Sequence, residues 1–149
     1  MIGLLQRVSR ASVDVDGRQV AAISRGLLVF IGVERRDREA QANRLLERLL
    51  AYRVFPDEAG RMNRDLCEIG GGLLLVPQFT LPADTRRGNR PSFTPAAPPE
   101  EGQRLFAHLC RQAEKICAET RWGIFGAEMQ VALVNDGPVT FWLRVSPDP

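Results

Sequence analysis

Every side chain in the run Leu73-Leu74-Leu75-Val76 is apolar, which is too unbroken for a half-exposed strand, and the run is too short for a helix. It belongs in the middle of a sheet, so the rest of the chain must supply strands beside it. Residues 2–33 do so. Ala11-Ser12-Val13-Asp14-Val15 alternates, Asp16-Gly17 marks a hairpin turn, Val20 to Ile23 returns, and Gly26-Leu27-Leu28-Val29-Phe30-Ile31-Gly32-Val33 is a further apolar run. Asp37 is placed to cap a helix running to about Arg53, with Leu45, Leu46, Leu49 and Tyr52 at helical spacing. Pro56 to Gly60 reads as a turn, and Gly70-Gly71-Gly72 as another that feeds Leu73.

From Pro82 to Pro99 the chain is polar, holds five of the ten prolines and carries Arg86, Arg87 and Arg90, so a long loop crossing the surface is expected. Glu100 to about Thr120 reads as a second helix, with acidic residues in its first turn and Leu105, Phe106, Leu109, Cys110, Ala113, Ile116 and Cys117 on one face. Met129 to Val134 and Val139 to Val145 are β-rich runs flanking Asn135-Asp136-Gly137-Pro138, and the tail Ser146 to Pro149 is expected to fray. The order predicts one α+β domain over residues 1–149, with a curled, barrel-like sheet and two main helices on one side.

A chain of 149 residues that is 44% hydrophobic buries roughly 70% of its unfolded surface and needs no disulfide or metal to hold together. The start, MIGLLQRVSR, has no secretory pattern, and no apolar stretch approaches the ~18 residues of a membrane span, so a cytosolic protein is expected. Cys67, Cys110 and Cys117 lack CxxC spacing and His108 is the sole histidine, too few ligands for a zinc site. Buried reduced thiols are the default. The net charge of +2 permits nucleic-acid contact through a local basic patch without demanding it.

One histidine also limits catalysis. His108 lies within the second helix as a surface or boundary residue, no Gly-x-Ser-x-Gly elbow offers it a serine, and the glycine run lacks the Lys-Ser/Thr of a phosphate loop. Two segments remain unexplained by packing. In Val76-Pro77-Gln78-Phe79-Thr80-Leu81 an apolar strand meets a proline, which cannot donate to a ladder, so the sheet ends plainly or opens there. If it opens, the freed backbone groups can bind a ligand, beside Gln78, Thr80 and the stacking face of Phe79. In Asn135-Asp136-Gly137-Pro138-Val139-Thr140 a proline follows the glycine. The alternatives are an ordinary trans turn or a cis Gly137-Pro138 bond that presents two carbonyl oxygens in a fixed relation.

Together with Met1 to Val8, Gly26 to Val29, Arg53-Val54-Phe55, Gly88-Asn89-Arg90-Pro91-Ser92-Phe93 and Gly123-x-Phe125-Gly126-Ala127-x-Met129, these segments resemble the D-aminoacyl-tRNA deacylases over essentially the whole chain. The resemblance implies a homodimer, without metal or organic cofactor, that hydrolyses the ester joining a D-amino acid to tRNA. It implies that Gly137-Pro138 is cis and enters the site of the partner subunit, where its carbonyls hold the substrate's amino group and exclude L-residues while D-residues and glycine fit. Gln78, Phe79 and Thr80 become catalytic candidates, with backbone donors near Phe79 and Thr80 holding the oxyanion and the tRNA's terminal 2′-hydroxyl assisting. Phe125 and Met129 map near the pocket, with a core contact as the alternative. Arg86, Arg87 and Arg90 become candidates for tRNA phosphates, with a solvated charge run as theirs. Pro77 departs from the family, which usually has serine there. A non-catalytic binder of tRNA acceptor ends disabled by Pro77, and an esterase for small D-amino acid esters, are the competing functions.

Overall fold

The computed structural model describes residues 1–147, and of the tail expected to fray, Asp148 and Pro149 lie outside the described residues. The sheet is organised by β1 (Ile2–Val15). Asp16 and Gly17 take φ of 50° and 76°, the left-handed pair that a tight hairpin needs, and β2 (Arg18–Ile23) returns along Ala11 to Val15. β3 (Gly26–Gly32) takes the other half of the same edge, Ile2 to Val8. The opposite edge of β1 is covered from Ile2 to Asp14 by the last strand, β8 (Gln130–Arg144).

After β3 come α1 (Glu39–Ala51), a small hairpin of β4 (Phe55–Pro56) and β5 (Met62–Arg64), and then β6 (Gly72–Pro77). β6 lies parallel to β3, from Gly26 opposite Gly72 to Ile31 opposite Pro77. α2 (Pro99–Ile116) leads to β7 (Thr120–Trp122), parallel to β6 on its far side.

This topology explains why β3 and β6 are apolar on both faces. Leu27, Val29, Ile31, Leu73 and Leu75 pack under Leu45, Leu46 and Leu49 of α1 and Leu105, Phe106 and Leu109 of α2. Leu28, Leu74 and Val76 face the other way and meet Val8, Val13 and Ile23 across the curl of the sheet. Each such side chain contributes about 1.5–3 kcal/mol through burial. Curling also forces close backbone approach. A Cβ on Gly26 would stand 1.9 Å from the carbonyl oxygen of Gly72. Gly26→Ala is therefore expected to cost about 3 kcal/mol or more in urea denaturation, because a strand and not a flexible side chain must yield. A loss below about 1 kcal/mol would show that the strands can separate there at little cost.

Several sequence expectations are corrected. Asp37 does not cap α1. The cap position is Arg38, whose N–H donates to the Gln41 side chain at 2.8 Å, while Asp37 is buried and accepts the Met1 ammonium at 2.7 Å and the Glu34 N–H at 2.7 Å. Burial pushes the Asp37 carboxyl up despite that ammonium. Burial also acts on Glu34, but hydrogen bonds from Arg144 and the Met1 ammonium outweigh it and hold that carboxyl below its usual range. α2 stops at Ile116, not near Thr120, because the chain extends at Cys117 to reach the β6 edge, and Ile116 is left 61% exposed. Asn135 to Pro138 is not a turn between two strands. β8 runs through it with a bulge opposite Arg7, the register on β1 shifting from Gln6–Thr140 to Val8–Asn135.

Candidate active site

β3 and β6 end side by side, and Pro77, which has no N–H to give, brings their ladder to its close. Gln78 makes the last bond to β3, its N–H donating to the Ile31 carbonyl at 2.8 Å. The chain then turns, with the Leu81 N–H donating to Gln78 at 3.2 Å and the Ala83 N–H to Thr80 at 3.1 Å. Between them, the N–H groups of Phe79 and Thr80 have no acceptor among the described residues. Two adjacent unpaired donors at an open strand end are an arrangement that can receive an anionic oxygen.

The first of these donors belongs to a residue that lines a cavity of about 750 Å³, and the second follows it in the chain just outside that lining. Its floor is Ile31 and Val33, one wall is the start of α2 with Gly102 and Phe106, and another is the segment Phe125 to Met129. Phe79 forms the rim with Phe93, ring centroids 5.4 Å apart, and is 63% exposed. A large apolar ring held this far into solvent is a surface for stacking. Gly102 lets Phe125 close the wall, since a Cβ there would stand 3.2 Å from its ring. A Cβ on Gly123 would stand 2.7 Å from Met129 Sδ and 3.6 Å from Pro77 Cδ, so proline and methionine meet at that glycine.

Of the residues singled out in the sequence, Gln78, Phe79, Phe125 and Met129 line this cavity. Thr80 does not line it, but its hydroxyl receives a hydrogen bond from the Gln78 amide and so orients that side chain. His108 sits at the α1–α2 boundary, Nε2 2.8 Å from Asn43 Oδ1. Cys110 and Cys117 are buried, and burial pushes the Cys110 thiol up to about 12, leaving no thiolate at neutral pH.

Gly137-Pro138 lies elsewhere. Its peptide is cis, it is exposed, and it has no ladder partner on β1. The bulge is braced at both ends. Arg7 donates from Nε to the Asp136 carbonyl at 2.8 Å and from Nη1 to the Val54 carbonyl at 2.7 Å. The Asn135 side chain accepts the Val139 N–H at 2.8 Å and donates to Thr140 Oγ1 at 2.9 Å. Arg7 sits opposite Leu27, whereas the cavity is floored by Ile31, roughly 13 Å further along the strands. The motif does not border the cavity of its own chain.

The arginines of the 82–99 loop also lie outside the cavity lining. Arg86 is committed to Asp84, through Nε at 2.9 Å and Nη2 at 2.8 Å. Hydrogen bonds from the Arg86 side chain and backbone hold the Asp84 carboxyl at about 2, far below its ordinary 3.8. The contribution of this pair is therefore fully present above pH 3.8 and lost only as pH falls through about 2. An NMR titration of the Asp84 carboxyl is expected to show that midpoint, and one near 3.8 would refute the clamp.

A family description for D-Tyr-tRNA(Tyr) deacylase matches residues 4–144. The chain belongs to that family. Its relatives include proteins named D-aminoacyl-tRNA deacylase from Thioalkalivibrio sulfidiphilus, 64% identical over 147 residues and 99% of either chain, and from Alkalilimnicola ehrlichii, 63% identical over 147 residues, 99% of this chain and 98% of that one. A solved structure described as c-Myc DNA Unwinding Element Binding Protein superposes with a TM-score of 0.94 at 36% identity, covering 99% of this chain and 100% of that one. Another, described as "a probable eukaryotic D-amino acid tRNA deacylase", shares the fold with a TM-score of 0.83 at 17% identity over 97% and 98% of the two chains. Membership places this protein among hydrolases of the aminoacyl-tRNA ester.

Nothing in the sequence singles out Arg35, Glu128 or the α2 start as cavity residues, and Phe93 stands out only as part of a motif. Arg35 carried a faint signal in Glu34-Arg35-Arg36-Asp37-Arg38, a cluster of arginines just after an apolar strand.

Proposed function

We propose that this protein hydrolyses the ester of D-aminoacyl-tRNA, releasing free amino acid and tRNA as a chiral proofreading step, and that it also acts on glycyl-tRNA(Ala). The observation that carries the reading is the pair of adjacent N–H groups on Phe79 and Thr80, unpaired among the described residues, the first of them on a residue that lines an apolar cavity. Water attacks the ester carbonyl, these donors hold the tetrahedral oxyanion, and the 2′-hydroxyl of the terminal adenosine assists as the 3′-oxygen leaves. Gln78, steadied by Thr80, positions the substrate. Such a site asks nothing of a serine at position 77, which is why Pro77 is compatible with it.

Selectivity follows from Gly137-Pro138 of the partner subunit in a homodimer. The motif is exposed, braced by Arg7 and Asn135, and out of reach of its own cavity, as a group acting in a second subunit should be. Its backbone oxygens accept from the substrate ammonium without reading a side chain, and an L-side chain would collide with them. Phe125 and Met129 form the pocket wall, and Arg87 and Arg90, which make no ion pair among the described residues, meet tRNA phosphates. Arg86 is the weakest of the three loop contacts because Asp84 already holds it. The whole chain acts as one domain in the cytoplasm, which agrees with there being no helix among the described residues long and apolar enough to cross a membrane.

The test is single-turnover hydrolysis of D-tyrosyl-, L-tyrosyl- and glycyl-tRNA. Loss of the D and glycyl esters with the L ester spared is expected, together with near-complete resistance of D-tyrosyl-tRNA ending in 3′-charged 2′-deoxyadenosine. Binding without hydrolysis of any ester would establish the non-catalytic binder, and hydrolysis of simple D-amino acid esters would establish the esterase.

A further inference from the structure

Arg35 is shared by two hollows. It borders the 750 Å³ cavity at Phe79 and also a second depression of about 930 Å³ at the start of α1, lined by Arg36, Arg38 and Arg104 together with Asp37, Glu39 and Glu101. Its backbone N–H donates to the Pro95 carbonyl at 3.1 Å and its Nε to the Thr94 carbonyl, which fixes one edge of the guanidinium and leaves its terminal nitrogens unbonded among the described residues.

The charge around it is unbalanced for a specific reason. The carboxylates of the second depression, and Glu34 beside it, are already taken, which leaves Glu128 on the cavity lining as the one nearby carboxylate without an ion pair among the described residues. Glu34 is held by the Met1 ammonium at 3.1 Å and Arg144 at 2.7 Å, Asp37 by the Met1 ammonium at 2.7 Å, and Glu39 and Glu101 by Arg104 at 3.2 and 3.0 Å. Arg35, Arg36 and Arg38 are exposed and form no ion pair among the described residues. The result is a cationic strip that begins at the cavity mouth and continues over the surface. By contrast, the loop arginine nearest to a carboxylate, Arg86, is neutralised by Asp84.

We propose that Arg35, with Arg36 and Arg38 behind it, binds the phosphodiesters on the 5′ side of the RNA's terminal nucleoside, so that the single-stranded 3′ end leaves the cavity across this face. The inference rests on the deacylase reading for the identity of the cavity's occupant. With an adenosine seated against Phe79, its 5′-phosphodiester must exit through the mouth, and the free fork of Arg35 is the fixed cation waiting there. Arg36 and Arg38 continue the track for the phosphates beyond it, as sequence-independent contacts.

The test compares D-tyrosyl-tRNA with D-tyrosyl-adenosine, the same ester without any phosphate. Arg35→Gln is expected to lower kcat/KM on the tRNA substrate by at least about tenfold more than on the nucleoside, mainly through KM, and to reduce the log–log salt slope by about one. Arg36→Gln, whose side chain makes no hydrogen bond or ion pair among the described residues, is expected to reduce the slope likewise without unsettling the cavity wall. Equal losses on both substrates, or an unchanged salt slope in both variants, would overturn the proposal. If the parent protein hydrolyses neither substrate, the deacylase reading fails by itself. Binding of an uncharged RNA ending in CCA then decides this one, for which a reduced salt slope in both variants is the supporting result and parental binding the contrary one.

Discussion

Gly137→Ala is expected to slow single-turnover deacylation of D-tyrosyl-tRNA by about 10²-fold or more while each subunit stays folded. Gly137 has φ of +155°, and a Cβ there would stand 2.6 Å from both the Val139 nitrogen and Val139 Cγ2. Both contacts lie within the bulge itself, so the bulge must shift, and with it the carbonyls proposed to receive the substrate ammonium. A misplacement of about 1 Å is enough for a loss of that size. Stability should fall by only about 1–3 kcal/mol, since residues 136 to 138 are exposed and the ladder on either side, at Gln6–Thr140 and Val8–Asn135, does not depend on them. Mixing the Gly137→Ala protein with a variant disabled at the Thr80 donor tests action across subunits. Mixed dimers contain one site with intact donors and an intact incoming motif, so about a quarter of parental activity should return on subunit exchange. No recovery in exchanged dimers, or less than about threefold loss in Gly137→Ala alone, would refute the proposed role of the motif.

The features that were legible in the sequence are those whose physics is local. Leu73 to Val76 identified itself as a central strand because both its faces are covered, by the helices on one side and by the curl on the other. Asp16-Gly17 announced its hairpin because few residue pairs tolerate two left-handed conformations. The helical pattern of α2 reads on from Ile116 to about Thr120, and β7 goes unread, since three residues at a sheet edge carry too little pattern to mark a strand. Asp37 looked like a cap because its residue type fits one, and nothing local reveals that Met1 arrives to claim it. The site divides in the same way. Pro77 and Pro138 flagged their segments by breaking the rules of strands, whereas Phe93 and Arg35 belong to the cavity only because the 82–99 loop folds back to β3, the Ala97 N–H donating to the Val33 carbonyl at 2.9 Å.

Replacing Thr80 by its α-hydroxy acid, which exchanges the backbone N–H for oxygen and keeps the side chain, is expected to cut the single-turnover rate on D-tyrosyl-tRNA by about 10²–10³-fold. Thr80→Ala, which keeps the N–H and loses only the hydroxyl that steadies Gln78, should cost less than about tenfold. The contrast isolates the backbone as the catalytic group. Neither the Phe79 nor the Thr80 N–H has a partner among the described residues, so exchanging one for oxygen breaks no structural hydrogen bond and should leave the melting transition close to that of the parent. A total loss in Thr80→Ala with an intact fold would move the chemistry to the side chain, and a mild effect of the ester would remove the oxyanion role from this turn. The predicted ordering reflects the site's construction: a proline ends the strand, two amides just beyond it are left without acceptors, and the substrate carbonyl supplies the acceptor only when it becomes an oxyanion.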